Sequence, residues 1–162
     1  MPTFEVASDA FLSFKELLGR HPELTTAFLA AHSEPFFRAF NSELLESRNY
    51  VTRRQSLKLL GELLCAPGNV EAMLRYVSEA GHFMLIMNLL RDNSRAIQFE
   101  AFHLFKVFVA NPGKPPAVAE ILRKNADRLL RFLADFQTDR DDEEFQGEKQ
   151  VLCDVLKTLL KA

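Results

Sequence analysis

The 162-residue chain contains no tryptophan, only 2 tyrosines and only 2 cysteines. Cys65 and Cys153 supply neither a disulfide framework nor the four ligands of a structural zinc site, so a reducing, cytoplasmic compartment is the expectation. Charge of one sign is lacking as well: 20 Lys+Arg stand against 22 Asp+Glu, a formal net charge of −2. Without a basic excess there is no bulk field to hold nucleic acid, and no such partner is expected. No apolar run approaches the ~18 residues that a membrane span needs, and no basic-then-apolar signal segment opens the sequence. Glycine-rich phosphate loops and the H-E-x-x-H, G-x-S-x-G and C-x-x-C motifs are absent. Phenylalanine is what abounds, with 15 residues. A Phe ring buries a large area and has no polar atom to satisfy, so this usage points to a dry interior packed from helices.

Apolar residues recur at spacings of three and four, and sustained period-two alternation is nearly missing, which predicts an all-α chain. One strong segment runs from Val51 to Cys65, with Leu57, Leu60, Leu63 and Leu64 on one face. Another runs from Ser94 to Ala110, where Ile97, Ala101, Phe102, Phe105 and Phe108 form the stripe. Breaks fall at Pro22, at Pro67-Gly68-Asn69, at Gly81 and at Asn111-Pro112-Gly113. Ser33, Asn69 and Ser94 are the expected N-caps, and the punctuation suggests about ten helices of roughly 10–17 residues.

Three segments superimpose: Ala10-Phe11-x-x-Phe14-Lys15-x-Leu17-Leu18, Ser56-Leu57-x-x-Leu60-Gly61-x-Leu63-Leu64 and Ala101-Phe102-x-x-Phe105-Lys106-x-Phe108-Val109. An apolar triplet follows each in turn, Phe36/Phe37/Phe40, Leu85/Ile86/Leu89 and Leu129/Leu130/Leu133. A helical unit returning at about 45 residues is the signature of armadillo or HEAT stacking, a right-handed solenoid in which each unit buries its apolar face on its neighbours. The expected organisation is a single domain over 1–162, with units near 6–49, 50–93 and 94–137 and a capping helix at 143–161. Chance similarity among Leu- and Phe-rich helices of an irregular bundle is the competing explanation.

Catalysis needs convergent groups, and the histidines His21, His32, His82 and His103 lie on separate segments without ligand spacing. His21 and His32 read as helix-end residues, His103 as a structural side chain, and Cys65 and Cys153 as buried, inert thiols. The acidic run 139–144 lacks Gly at the sixth position and Glu at the twelfth of a calcium loop, so it reads as a solvated lead-in to the last helix. No metal, cofactor or catalytic residue is expected, and the chain reads as a non-enzyme. What remains is a binding surface. Val51 and Arg54, Met84 and Met87, and Lys124 and Arg128 are pairs at helical spacing in successive units. If the units stack, the pairs would form a stripe with a methionine floor and a cationic rim, suited to a peptide carrying an aromatic anchor and an acid. Ordinary surface cations and core methionines would produce the same pattern.

The string from Asn49 to Leu64, NYVTRRQSLKLLGELL, together with Met87-Asn88-Leu89-Leu90-Arg91-Asp92 and the run from Ile97 to Pro112, closely resembles the scaffold family called calcium-binding protein thirty-nine, or mouse protein twenty-five. Ala7 to Phe11 and Phe136-Gln137-x-Asp139-Arg140 extend the likeness along the chain, which corresponds to the C-terminal half of the family's longer proteins. The resemblance implies an armadillo-like scaffold without catalytic activity. Its implied partners are the Ste-twenty-related adaptor pseudokinase, through it the liver tumour-suppressor kinase complex, and germinal-centre kinases. The pseudokinase's C-terminal Trp-Glu-Phe tail is expected in a pocket whose family positions fall on Val51, Arg54, Met87, Lys124 and Arg128. Arg54 would take the carboxylates and Met87 the aromatic anchor. Three departures bear on partner choice. Met84 stands where the family usually has Lys, and Pro67 and Val70 stand where an Arg and a Phe usually face the kinase-like domain. An apolar N-terminal face around Phe4, Phe11 and Phe14 is expected to promote self-association. A generic HEAT-type assembly subunit is the alternative within the same fold, and a small helical metal-dependent hydrolase the alternative outside it.

Overall fold

The structure, a computed structural model, describes residues 4–161, with the side chain of Phe4 outside that description. Eight α-helices occur among the described residues: α1 (Phe4–Arg20), α2 (Pro22–Phe40), α3 (Tyr50–Cys65), α4 (Val70–Ser78), α5 (Ala80–Leu89), α6 (Arg95–Ala110), α7 (Pro116–Asp135) and α8 (Glu143–Lys161). A π-helical turn at Asn41–Leu45 and a 3-10 turn at Pro67–Asn69 are the other helical elements, and no strand is present among those residues. The all-α class is therefore as the periodicity predicts, with fewer α-helices than the expected ten. Part of the difference lies in α2, where His32 leaves helical geometry (φ −130°, ψ 22°) three residues before Pro35. Proline removes a backbone donor and crowds the preceding turn, so the chain kinks there without stopping.

The chain divides into two compact units, Met1–Tyr76 and Val77–Ala162. In the first, α1, α2 and α3 enclose Leu18, Leu29, Phe37, Leu45 and the α3 face Leu57/Leu60/Leu63/Leu64, all buried. The Asn49 side chain caps α3 by accepting from the Thr52 amide at 3.1 Å. Asn69 does not cap α4 as expected. Its side chain accepts from the Thr26 hydroxyl at 2.7 Å and donates to the Leu63 carbonyl at 2.8 Å, tying the 3-10 turn to α2 and α3. Tyr76, fully buried, donates to Asn41 Oδ1 at 3.1 Å, and burial raises its phenol pKa far above the ordinary value.

The second unit is built on rings. Phe83 of α5 packs against Phe105 and Phe108 of α6 (centroids 6.0 and 5.0 Å apart). Phe102 of α6 meets Phe136 at 5.6 Å and Phe145 of α8 at 4.9 Å. Around this cluster the Phe136-Gln137-x-Asp139-Arg140 string acts as a clasp. Gln137 takes the left-handed conformation (φ 45°) just past the end of α7, a position usually given to glycine. Its amide donates to the Arg95 carbonyl at 2.8 Å. Asp139 receives the Arg95 guanidinium in a two-pronged pair at 2.9 and 2.5 Å, and that hydrogen bond holds its carboxyl below the usual range. Arg140 lies over the Phe99 ring, 3.7 Å from its centroid. Lys149 of α8 is buried and donates to the Phe136 carbonyl at 2.7 Å, satisfying the end of α7. Ser94 and Asp142 cap α6 and α8 by accepting from the Ile97 and Phe145 amides.

Candidate functional site

A groove of about 200 Å³ opens along α5 and α7 in the second unit. Met84, Met87, Asn88 and Arg91 line one wall at helical spacing, and Asn125, Arg128, Leu129 and Phe132 line the other. Leu90 and Leu129 are buried beneath it, Met87 and Phe132 are half-buried, and Met84 at the mouth is 53% exposed. No carboxylate lines the groove. Neither Arg91 nor Arg128 forms an ion pair among the described residues, and the Arg91 guanidinium donates to Asn88 Oδ1 at 3.1 Å. A guanidinium without a carboxylate partner beside an apolar floor suits a ligand bearing both an aromatic ring and an acid.

Of the six residues singled out from the sequence, the structure brings Met84, Met87 and Arg128 to this groove. Lys124, one turn before Arg128, lies outside the lining and pairs with Glu120 at 2.7 Å. The Lys124 hydrogen bond holds the Glu120 carboxyl below its ordinary range. Val51 and Arg54 belong to the first unit. Val51 lines a groove of about 270 Å³ with Ser8, Phe11, Leu12 and Lys15 of α1, and Arg54 is exposed with no partner among the described residues. Sequence reasoning missed Arg91, Asn88, Asn125 and Phe132. Arg91 is seven residues past Met84, on the same helical face, but it falls just beyond the end of α5, where periodicity stops being a guide.

Pro67 is exposed at the start of the 3-10 turn, beside a cleft of about 600 Å³ lined by Leu18, Pro22, Thr26 and Leu63. Val70, 51% exposed, is the first residue of α4. Cys65 is exposed and Cys153 half-buried, which corrects the expectation that both thiols are buried. Cys65 is the last residue of α3, and the extended backbone at Ala66 carries the chain away without covering it. His103 is half-buried against the Phe99 ring, and desolvation together with the Lys106 charge lowers its pKa. Among the described residues no group of three or more His, Cys, Asp or Glu could hold a metal ion, and no helix is long and apolar enough to cross a membrane.

A family model described as Mo25-like matches residues 1–160. The chain belongs to the Mo25-like family. It is 59% identical over 150 residues to the degreening-related gene dee76 protein of Auxenochlorella protothecoides, covering 93% of this chain and 46% of that one. It is 50% identical over 163 residues to a calcium-binding protein 39-like protein of Mus musculus (100% and 48% covered). A Mo25-like protein of Schizosaccharomyces pombe is 48% identical over 158 residues (97% and 48%). This Mo25-like chain thus spans about half the length of the curated relatives it matches. The family is one of helical-repeat scaffold proteins, in keeping with the all-helical architecture.

Proposed function

We propose that this chain is a non-catalytic scaffold that captures the C-terminal Trp-Glu-Phe-type tail of a pseudokinase or Ste-twenty-like kinase and promotes kinase activation. The observation that carries the reading is the groove between α5 and α7, with its methionine and aromatic floor and two guanidinium groups free of internal carboxylates. In this reading the tail's aromatic ring lies against Met87 and Phe132, and Arg128 and Arg91 receive its carboxylates in two-pronged hydrogen bonds. Arg54, exposed on α3, contributes a further cation, and Val51 an apolar contact. Pro67 and Val70 form the kinase-facing surface, where smaller side chains than the family's usual Arg and Phe give a weaker contact. Activation follows from a population shift: a surface that binds the active arrangement better than the inactive one favours it by that difference in affinity.

Titration of a fluorescent peptide ending in Trp-Glu-Phe tests this directly. Saturable binding is expected, weakened about tenfold or more by Met87→Ala or by Arg128→Ala, and less by Arg54→Ala. Binding untouched by all three substitutions would remove the groove from the mechanism.

A further inference from the structure

Met84 differs from the other described methionines in its setting. Met73 and Met87 are half-buried, whereas Met84 is 53% exposed on the groove wall. It stands one turn from Met87, on a surface that also presents Arg91 and Arg128. A thioether is apolar and polarizable, and its oxidation product is a polar, chiral sulfoxide with a strong acceptor oxygen. We propose that Met84 is a reversible oxidation site at which a peroxide switches the groove from ligand-accepting to ligand-rejecting, a reading that rests on the groove being the tail-binding site.

The step balances without any group from the protein besides the sulfur. A lone pair on the Met84 sulfur attacks the distal oxygen of hydrogen peroxide or an organic hydroperoxide. The O–O bond breaks, an S–O bond forms, and water or the alcohol leaves with the proton. Sulfur is oxidised by two electrons and the peroxide reduced by two. Two effects then oppose the ligand. The wall that meets its aromatic ring becomes polar and carries a hydration shell that must be removed. The sulfoxide oxygen also offers an acceptor to the guanidinium groups that line the same groove, in competition with the ligand's carboxylate. The two methionine sulfoxide reductases, one for each sulfoxide epimer, restore the thioether: a dithiol reductant supplies two electrons and becomes a disulfide, and the oxygen leaves as water.

The test treats the whole chain with graded hydrogen peroxide and follows each methionine by peptide mass spectrometry. Affinity for the fluorescent Trp-Glu-Phe peptide is measured before oxidation, after oxidation, and after repair by both methionine sulfoxide reductases with dithiothreitol as the reductant. Met84 should oxidise ahead of Met73 and Met87. Affinity should fall about five- to tenfold, the loss of one partly buried apolar contact, and should return after repair. Met84→Leu should keep a before-to-after affinity ratio near one, whatever its own starting affinity. Earlier oxidation of Met73 or Met87, undiminished affinity with Met84 fully oxidised, or an oxidation-sensitive Met84→Leu would each overturn the proposal while the tail-capture reading stands. A reduced chain that fails to bind the peptide overturns both.

Discussion

Two copies of one motif meet opposite fates in this molecule. Ala10-Phe11-x-x-Phe14-Lys15 on α1 and Ala101-Phe102-x-x-Phe105-Lys106 on α6 are nearly the same string. Ala101, Phe102 and Phe105 are completely buried, whereas Ala10 is exposed and Phe11 and Phe14 are half-buried. They line an open groove of about 470 Å³ with Phe36, Ala39 and Phe40. Helix α6 has rings of α5, α8 and the end of α7 against its stripe. Among the described residues the stripe of α1 has only one side covered, and Val6, Leu12 and Leu17 project outward at 56, 62 and 73% exposure. Of the apolar face expected around Phe4, Phe11 and Phe14, Phe11 and Phe14 are half-buried in that open groove, these aliphatic residues are its exposed members, and the Phe4 side chain lies outside the described residues. Even the lysines differ. Lys106 and Glu148 pair with side chains 23 and 30% exposed, while Lys15 and Glu62 pair at 39 and 46%. A helix's own sequence sets which face is apolar, and its neighbours set what that face is worth.

The largest test of the contrast is Phe→Ala at equivalent positions. Phe102→Ala should cost ~3–5 kcal/mol by opening a cavity in a sealed ring cluster. Phe11→Ala, on a groove already open to solvent, should cost under about 1.5 kcal/mol, and denaturant unfolding of the two variants decides it. Equal losses would mean that the groove is closed in solution. Next comes the clasp, which α1 has no counterpart to. Gln137→Ala keeps the left-handed backbone and deletes the amide's bond to Arg95, so a loss of about 1–2 kcal/mol is expected in the same assay.

A gain is expected at the middle copy of the motif. Ser56 occupies the place of Ala10 and Ala101, is wholly buried, and its hydroxyl has no hydrogen-bond partner among the described residues. Ser56→Ala should raise stability by roughly 1 kcal/mol, because a stranded hydroxyl loses its water without recompense; a lower unfolding midpoint would contradict this. The uncovered side of α1 should also promote self-association, read as a mass that rises with concentration in light scattering. The Leu12→Glu/Leu17→Glu pair should suppress it, and a sharp monomer peak for the unaltered chain would count against the idea.

The smallest effect concerns pH. His103, lowered by burial and Lys106, is also flanked by Glu148, Glu100 and Arg140. A group whose pKa is lower in the fold takes up its proton first when unfolded, so stability should fall as pH drops below 6.5, the ordinary histidine value, and level off below the folded pKa. His103→Gln should flatten that part of the melting-temperature profile; an unchanged slope would remove His103 as its source.

Periodicity gave away the helices and the buried faces, because those depend on residues three and four apart. Ser94 as a cap and the acidic run as the lead-in to α8 were equally legible, since capping is local. Asn69 escaped because its partners, Thr26 and Leu63, are brought to it only by folding. Met84, Met87 and Arg128 could be paired by spacing along their helices. Arg91 joins them only because two helices converge, and Lys124 leaves them because Glu120 sits one turn back. The exposure of Leu12 and Leu17 likewise depends on what covers α1, about which α1 itself carries no information.

Gly68 ends up shaping what the neighbouring surface is free to become. A β-carbon there would stand 2.8 Å from the Thr26 hydroxyl, the group that donates to Asn69. A larger residue would push the Thr26 hydroxyl aside and loosen the turn from which α4 departs. Pro67 and Val70, on either side of that pinned point, are exposed. Side chains on this proposed kinase-facing surface can therefore be exchanged at those two places, while the backbone that displays them stays fixed by a hydrogen atom's worth of space.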